Sequence, residues 1–160
     1  YFAAGDRIRA FDTRFGRLGL LVCEDFWHLS CATILGADEV DYVVCISNSP
    51  VRGVAGREFE SAAAWRTLAR CYALSLTAVV VFANRVGYED GVCFWGGSEV
   101  VGPEGVSAGR AKLFEPDLLI VEIEPAELRR ARIYNPLARD EKLLLTIAEL
   151  ERIKAAKYLQ

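Results

Sequence analysis

The stretch RLGLLVCEDFWHLS, residues 17–30, decides how this chain is read. An apolar run from Leu18 to Val22 reaches Cys23 and stops. Glu24 and Asp25, then Phe26 and Trp27, then the only histidine of the sequence, His28, follow at once. A short apolar run of this kind reads as a buried strand, so Cys23 falls at a strand end. Strand ends face the crevice in which open α/β sheets bind ligands. A thiol there can be reached by a substrate, whereas a thiol in mid-strand is a small core hydrophobe. Three roles are open at this point: core thiol, metal ligand or nucleophile.

The neighbours of Cys23 weigh against metal. Cys23, His28 and Cys31 are close in sequence, but no second ligand cluster accompanies them, and zinc would need remote carboxylates. No metal and no other cofactor is expected. A papain-like Cys–His pair also fits poorly, because His28 lies at the start of a predicted helix and the local signatures of such peptidases are absent. A lone histidine there reads as a surface or capping group. Cys45 and Cys71 read as core thiols. Together with Cys23, Cys31 and Cys93 they make five cysteines, odd in number and irregular in spacing. That pattern indicates reduced thiols in a cytoplasmic protein rather than a disulfide framework.

Strands and helices alternate outward from this segment. RIRAFDT (7–13) and RLGLLVC (17–23) read as paired strands, and HLSCATILGAD (28–38) as a helix stopping at Gly36. DYVVCISN (41–48) and TAVVVFAN (77–84) are short β-branched runs, the pattern of buried strands. Between them lie a Pro/Gly loop (49–56) and a long helix (57–75) whose alanines suit a face pressed on a sheet. RVGYEDGVCFWGG (85–97) reads as a loop, SEVVGPEG (98–105) and KLFEPDLLIVEIEP (112–125) as strands, with a tight turn at Gly102–Gly105. Segments 125–136 and 139–160 read as terminal helices, the last with Glu and Lys/Arg on an outer face. The pattern predicts one α/β domain with a mixed sheet.

Composition excludes several classes. Hydrophobic residues make up 52% of 160, enough for a sizeable core and too many for a disordered tail. The net charge of −3, without a Lys/Arg block, makes nucleic acid and anionic membrane unexpected partners. No apolar run reaches the roughly 18 residues needed to span a bilayer. The sequence has no methionine and opens at Tyr1, so it is expected to be a piece of a longer chain.

Four segments in order carry a resemblance: YFAAGD (1–6), GLLVCEDFWH (19–28), LGADEVDYVVCISNSP (35–50) and AVVVFANRVGYEDGVCFWGGSEVVGPEG (78–105). Each is similar to a motif of the nitrilase, or carbon–nitrogen hydrolase, superfamily. Glu24 after the cysteine, with Trp27 behind it, resembles the glutaminase portion of glutamine-dependent NAD synthetases in particular. The resemblance implies a nitrilase-type α-β-β-α sandwich with mixed sheets. Residues 1–160 would be the C-terminal portion of a single such domain, its N-terminal portion missing from this chain.

The resemblance also implies a chemistry. The family attacks an amide or nitrile carbon with a cysteine thiolate, which a buried Glu deprotonates and a Lys assists by stabilising the oxyanion. The nucleophile maps onto Cys23, and the backbone N–H of Glu24 onto the second oxyanion donor. The family's Glu and Lys would precede Tyr1, and no lysine occurs before Lys112. Glu24, Phe26, Trp27 and Ser49 are expected to contact the substrate. Glu24 could instead pair with an arginine at the core rim, Ser49 could be a turn residue, and Phe26 and Trp27 could be packing. Asp25 is expected to accept loop N–H groups, Asn84 and Arg85 to brace the loop bordering the site, and Gly96 and Gly97 to permit a bend. The implied function is a thiol amidase releasing ammonia or an amine through a thioester. Alternatives are acyl transfer to an amine, a glutaminase supplying ammonia to a synthetase, and a non-catalytic scaffold. The expected partners are a small amide, the upstream half of the same protein, and a second copy.

Overall fold

The computed structural model describes residues 3, 5–52, 54–55 and 58–158, with the backbone alone at 54–55 and 58–59. The apolar runs become a central sheet. Strands β1 (Ala10–Thr13) and β2 (Gly16–Val22) form an antiparallel hairpin. Strand β2 then runs parallel to β3 (Tyr42–Ser47), and β3 parallel to β6 (Val79–Asn84). Antiparallel β9 (Glu99–Val101) and β10 (Ser107–Arg110) complete the order β1-β2-β3-β6-β9-β10. Two crossovers join the parallel strands, as parallel pairing demands. Helix α1 (Leu29–Ala37) links β2 to β3, and α2 (Glu60–Leu76) links β3 to β6.

Side chains alternate across the sheet, and α1 and α2 cover one face of it. Leu21, Val43, Cys45, Val80 and Phe82 lie in one buried cluster with Leu35 of α1 and Ala62, Trp65, Ala69, Tyr72 and Ala73 of α2. The alanines let α2 approach closely. Gly19 does the same for α1, since a Cβ there would stand 2.8 Å from Leu35. Gly36, expected as the helix stop, lies inside α1 and gives room to Leu76 of α2, 2.8 Å from where its Cβ would be. On the opposite face Leu20, Val22 and Ile46 are 57%, 57% and 56% exposed.

Other expectations are corrected. The loop read at 85–97 contains a hairpin, β7 (Val86–Glu89) and β8 (Val92–Trp95). The loop read at 49–56 contains β4 (Val54–Ala55), which pairs with β5 (Glu58–Phe59) ahead of α2. The expected helix start at Arg57, and Tyr1, Phe2 and Ala4 of the first motif, lie outside the described residues. Segment 112–125 is not a strand. It keeps the alternation, with Leu119, Val121 and Ile123 half-buried and Leu118 and Ile120 exposed, but among the described residues its strand pairing is confined to an isolated bridge from Leu113 to Gly96. A strand is defined by its partner's hydrogen bonds, and alternation alone does not supply them.

The tail is helical as expected: α3 (Pro125–Tyr134), α4 (Leu137–Asp140) and α5 (Leu143–Tyr158). Arg132 holds α3 to the sheet by donating to Asp41 Oδ1 at 2.6 Å and to the Val40 carbonyl at 2.7 Å. Helix α5 buries none of its described residues, so its apolar positions face no core. Cys71 is exposed on α2 and not the core thiol expected, whereas Cys45 is buried.

Candidate active site

The polypeptide turns sharply where β2 ends. Cys23 has φ +46°, a left-handed conformation that costs a non-glycine residue and is concentrated at functional sites. It opens a single-turn 3-10 helix, Cys23–Trp27. Two contacts hold this turn. Asp25 reaches back so that Oδ2 accepts the Val22 N–H at 2.9 Å, the loop-acceptor role expected of it. Phe26 plunges into the core, 0% exposed, with ring centroids 5.4 Å from Trp65 and 4.8 Å from Tyr72. The Phe26 carbonyl accepts the Tyr72 hydroxyl at 2.9 Å.

The parallel register Val22↔Ile46 sets Cys23 beside Ser47 at the same end of the sheet. The Ser47 hydroxyl donates to Cys23 Sγ at 3.4 Å. The Cys23 thiol is half-buried. Cys45 beneath it is fully buried, and burial pushes its thiol up to about 12. The two sulfurs therefore differ in what they can do: Cys45 holds its proton, and Cys23 can be reached.

A second cluster lies behind the turn. Ser49 is buried, and its hydroxyl oxygen accepts both the Trp65 indole N–H at 2.9 Å and the Trp95 indole N–H at 3.4 Å. Its backbone N–H donates to Asn84 Oδ1 at 2.9 Å. Asn84 Nδ2 donates to the Gly96 carbonyl at 3.1 Å, which ties the ends of β3, β6 and β8 together. Gly96 and Gly97 have φ +69° and +60°, the bend expected of them. Arg85 donates its backbone N–H to the Ser47 carbonyl at 3.0 Å and lays its guanidinium over Phe94.

Residues 1–133 match the family described as carbon-nitrogen hydrolase. The chain belongs to that family. It is 27% identical to N-carbamoylputrescine amidase of Oryza sativa subsp. japonica, over 92% of this chain and 53% of that protein. It is also 27% identical to glutamine-dependent NAD(+) synthetase of Acinetobacter baylyi, over 94% of this chain and 26% of that protein. Among solved structures, the carbon-nitrogen hydrolase of Helicobacter pylori G27 superposes with a TM-score of 0.83 at 27% identity, covering 94% of this chain and 55% of that one. The chain thus spans about half the length of that hydrolase and of the rice amidase, and a quarter of the synthetase. Its α/β fold with a mixed sheet is of the nitrilase type.

Within this carbon–nitrogen hydrolase chain the expected contact residues separate into two groups. Glu24 and Trp27 lie at the surface beside Cys23. The Glu24 side chain is 82% exposed, and its Oε1 lies 3.7 Å from His28 Nε2. Trp27 stands edge-on to Trp65 at 5.3 Å. Phe26 and Ser49 are instead buried behind the turn, where they fix its position. Lys112 lies on the surface, its Nζ 3.5 Å from Glu115. Among the described residues no group of three or more His, Cys, Asp and Glu could hold a metal, and no helix is long and apolar enough to cross a membrane. Ser47 was not singled out from the sequence. Parallel strands end on the same side, so the hydroxyl closing DYVVCIS was a signal for a neighbour of the cysteine closing RLGLLVC.

Proposed function

We propose that this chain carries the nucleophile of an enzyme that cleaves a small amide through a thioester on Cys23, releasing ammonia or an amine. The observation that carries the reading is the half-buried Cys23 thiol, turned by its positive φ out of the end of β2. The Cys23 thiolate attacks the carbonyl carbon, forming a C–S bond and an oxyanion. The Glu24 backbone N–H donates to that oxyanion. The C–N bond then breaks, nitrogen leaves with a proton from a general acid, and water hydrolyses the thioester to carboxylate and free thiol. Thiols need a base to become good nucleophiles at neutral pH. In this proposal a Glu base and a Lys cation come from residues preceding Tyr1, which also cover the exposed face of β2 and β3. Glu24 and Trp27 form the rim that meets the substrate, and Phe26 and Ser49 support that rim from beneath. A second copy packing on the exposed apolar residues of α5 belongs to the same proposal.

The similarity to the rice amidase supports a small amide or carbamoyl substrate. The similarity to the Acinetobacter synthetase, over nearly the whole chain, favours a second reading in which glutamine is the amide and ammonia passes to a synthetase. Ammonia release by the full-length protein from glutamine and from simple aliphatic and carbamoyl amides separates the two. In the full-length protein Cys23→Ala should lower release by about three orders of magnitude or more with the fold retained. Activity surviving that change would remove the mechanism.

A further inference from the structure

The contact between Cys23 and Ser47 has a consequence for the thiol itself. We propose that Ser47 is the hydrogen-bond donor that stabilises the Cys23 thiolate and aims its sulfur. The inference rests on Cys23 being the nucleophile. Three observations carry it. The Ser47 hydroxyl donates to Cys23 Sγ at 3.4 Å, a contact between residues that β2 and β3 bring side by side. The backbone of Ser47 is fixed on its other flank, where its carbonyl accepts the Arg85 N–H at 3.0 Å and its register partner is Asn84 of β6. Cys23 is held from the opposite side by the Asp25 brace on Val22 and by the buried Phe26. Donor and acceptor are therefore set by strand pairing and not by the chance rotamer of a mobile loop.

A hydroxyl donating to an anion is bound more strongly than one donating to a neutral group. The contact consequently favours thiolate over thiol and lowers the energy needed to make the nucleophile. It also restrains Sγ, leaving the remaining lone pairs for the carbonyl carbon. The hydrogen stays on the Ser47 oxygen throughout, so no proton transfer is assigned to it. Its effect is on the fraction of thiolate and on the direction of attack.

The test is the pH dependence of Cys23 alkylation by iodoacetamide, followed by fragment mass spectrometry in the full-length protein. Ser47→Thr and Ser47→Val are nearly isosteric, and both suit a strand end. Thr keeps the donor and Val removes it. The Val variant should move the Cys23 titration upward by about half a pH unit or more, and the Thr variant should restore the original curve. In turnover, Val should lower kcat severalfold with KM little changed and displace the acid limb of the pH profile in the same direction. Matching thiol titrations in the Val and Thr variants, both folded by circular dichroism, would overturn the proposal for Ser47 and leave Cys23 as the nucleophile. If Ser47→Val does not fold, Ser47→Ala against Ser47→Thr makes the same comparison. A wild-type Cys23 that resists alkylation at every pH would overturn both claims.

Discussion

The two faces of the central sheet at β2 and β3 are built from the same strands and have opposite fates. On one face Leu21, Val43, Cys45 and Phe82 are sealed under α1 and α2. On the other, Leu20, Val22 and Ile46 are more than half exposed. Neighbours in sequence, such as Leu20 and Leu21, are chemically identical and differ only in which way the pleat turns them. Hydrophobicity is thus a property of the whole strand, whereas burial is a property of what the rest of the chain lays on each side. The candidate nucleophile belongs to the sealed side: Cys23 follows the alternation of Leu21 and sits over Cys45 and beside Ser47. Its turn is pinned by side chains reaching up from that core.

The sharpest way to break this comparison is at Trp65, which stacks on Phe26 at 5.4 Å and on Phe82 at 4.5 Å. Trp65→Ala should cost about 3–5 kcal/mol in urea unfolding and loosen the turn at Cys23. Next come the paired leucines. Leu21→Ala should cost about 2–5 kcal/mol, while Leu20→Ala in residues 1–160 should stay within about 0.5 kcal/mol. Equal effects would show that the exposed face is covered. Ser49→Ala leaves two indole N–H groups without their hydroxyl acceptor and should cost about 1–3 kcal/mol.

The smallest effect is one of pH. The unfolded Cys45 thiol ionises near roughly 8.5, while burial holds the folded one up to about 12. Unfolding therefore releases a proton in alkaline solution. The stability due to the buried neutral thiol is complete below the unfolded value and is lost as pH rises toward the folded one. Cys45→Ala should flatten the decline of unfolding free energy above about pH 8.5. An unchanged slope would mean that Cys45 is reached by water in the folded state.

Much of this was legible in the sequence because it depends on local pattern. The β-branched runs at 42–47 and 79–84 and the alanine-rich helix between them appear where expected. The hairpin at 86–95 carries a local signal as well. Asp90 and Gly91 have φ +49° and +79°, the left-handed pair that a two-residue hairpin turn requires, and Asp-Gly is its sequence signature. What local pattern could not give was the depth of Ser49 and Phe26. For Phe26 the sequence leaves packing open beside a ligand contact, and for Ser49 a turn role. Their burial is decided by Trp65 and Tyr72 from α2 and Trp95 from β8, residues far away in sequence. Segment 112–125 teaches the same lesson in reverse: its alternation is real, but a strand needs a neighbour.

The most direct test of the central claim, that Cys23 is the nucleophile, is to trap the thioester. The full-length protein is mixed with a small amide, quenched in acid and digested with trypsin. Cys23, Cys31 and Cys45 all fall in the single tryptic peptide from Leu18 to Arg52, so fragmentation within that peptide must place the added mass. The account predicts one acyl group, on Cys23, absent from Cys23→Ala and accompanied by stoichiometric ammonia or amine. An acyl group on Cys31 or Cys45, or turnover with no acyl-protein and full activity in Cys23→Ala, would contradict it.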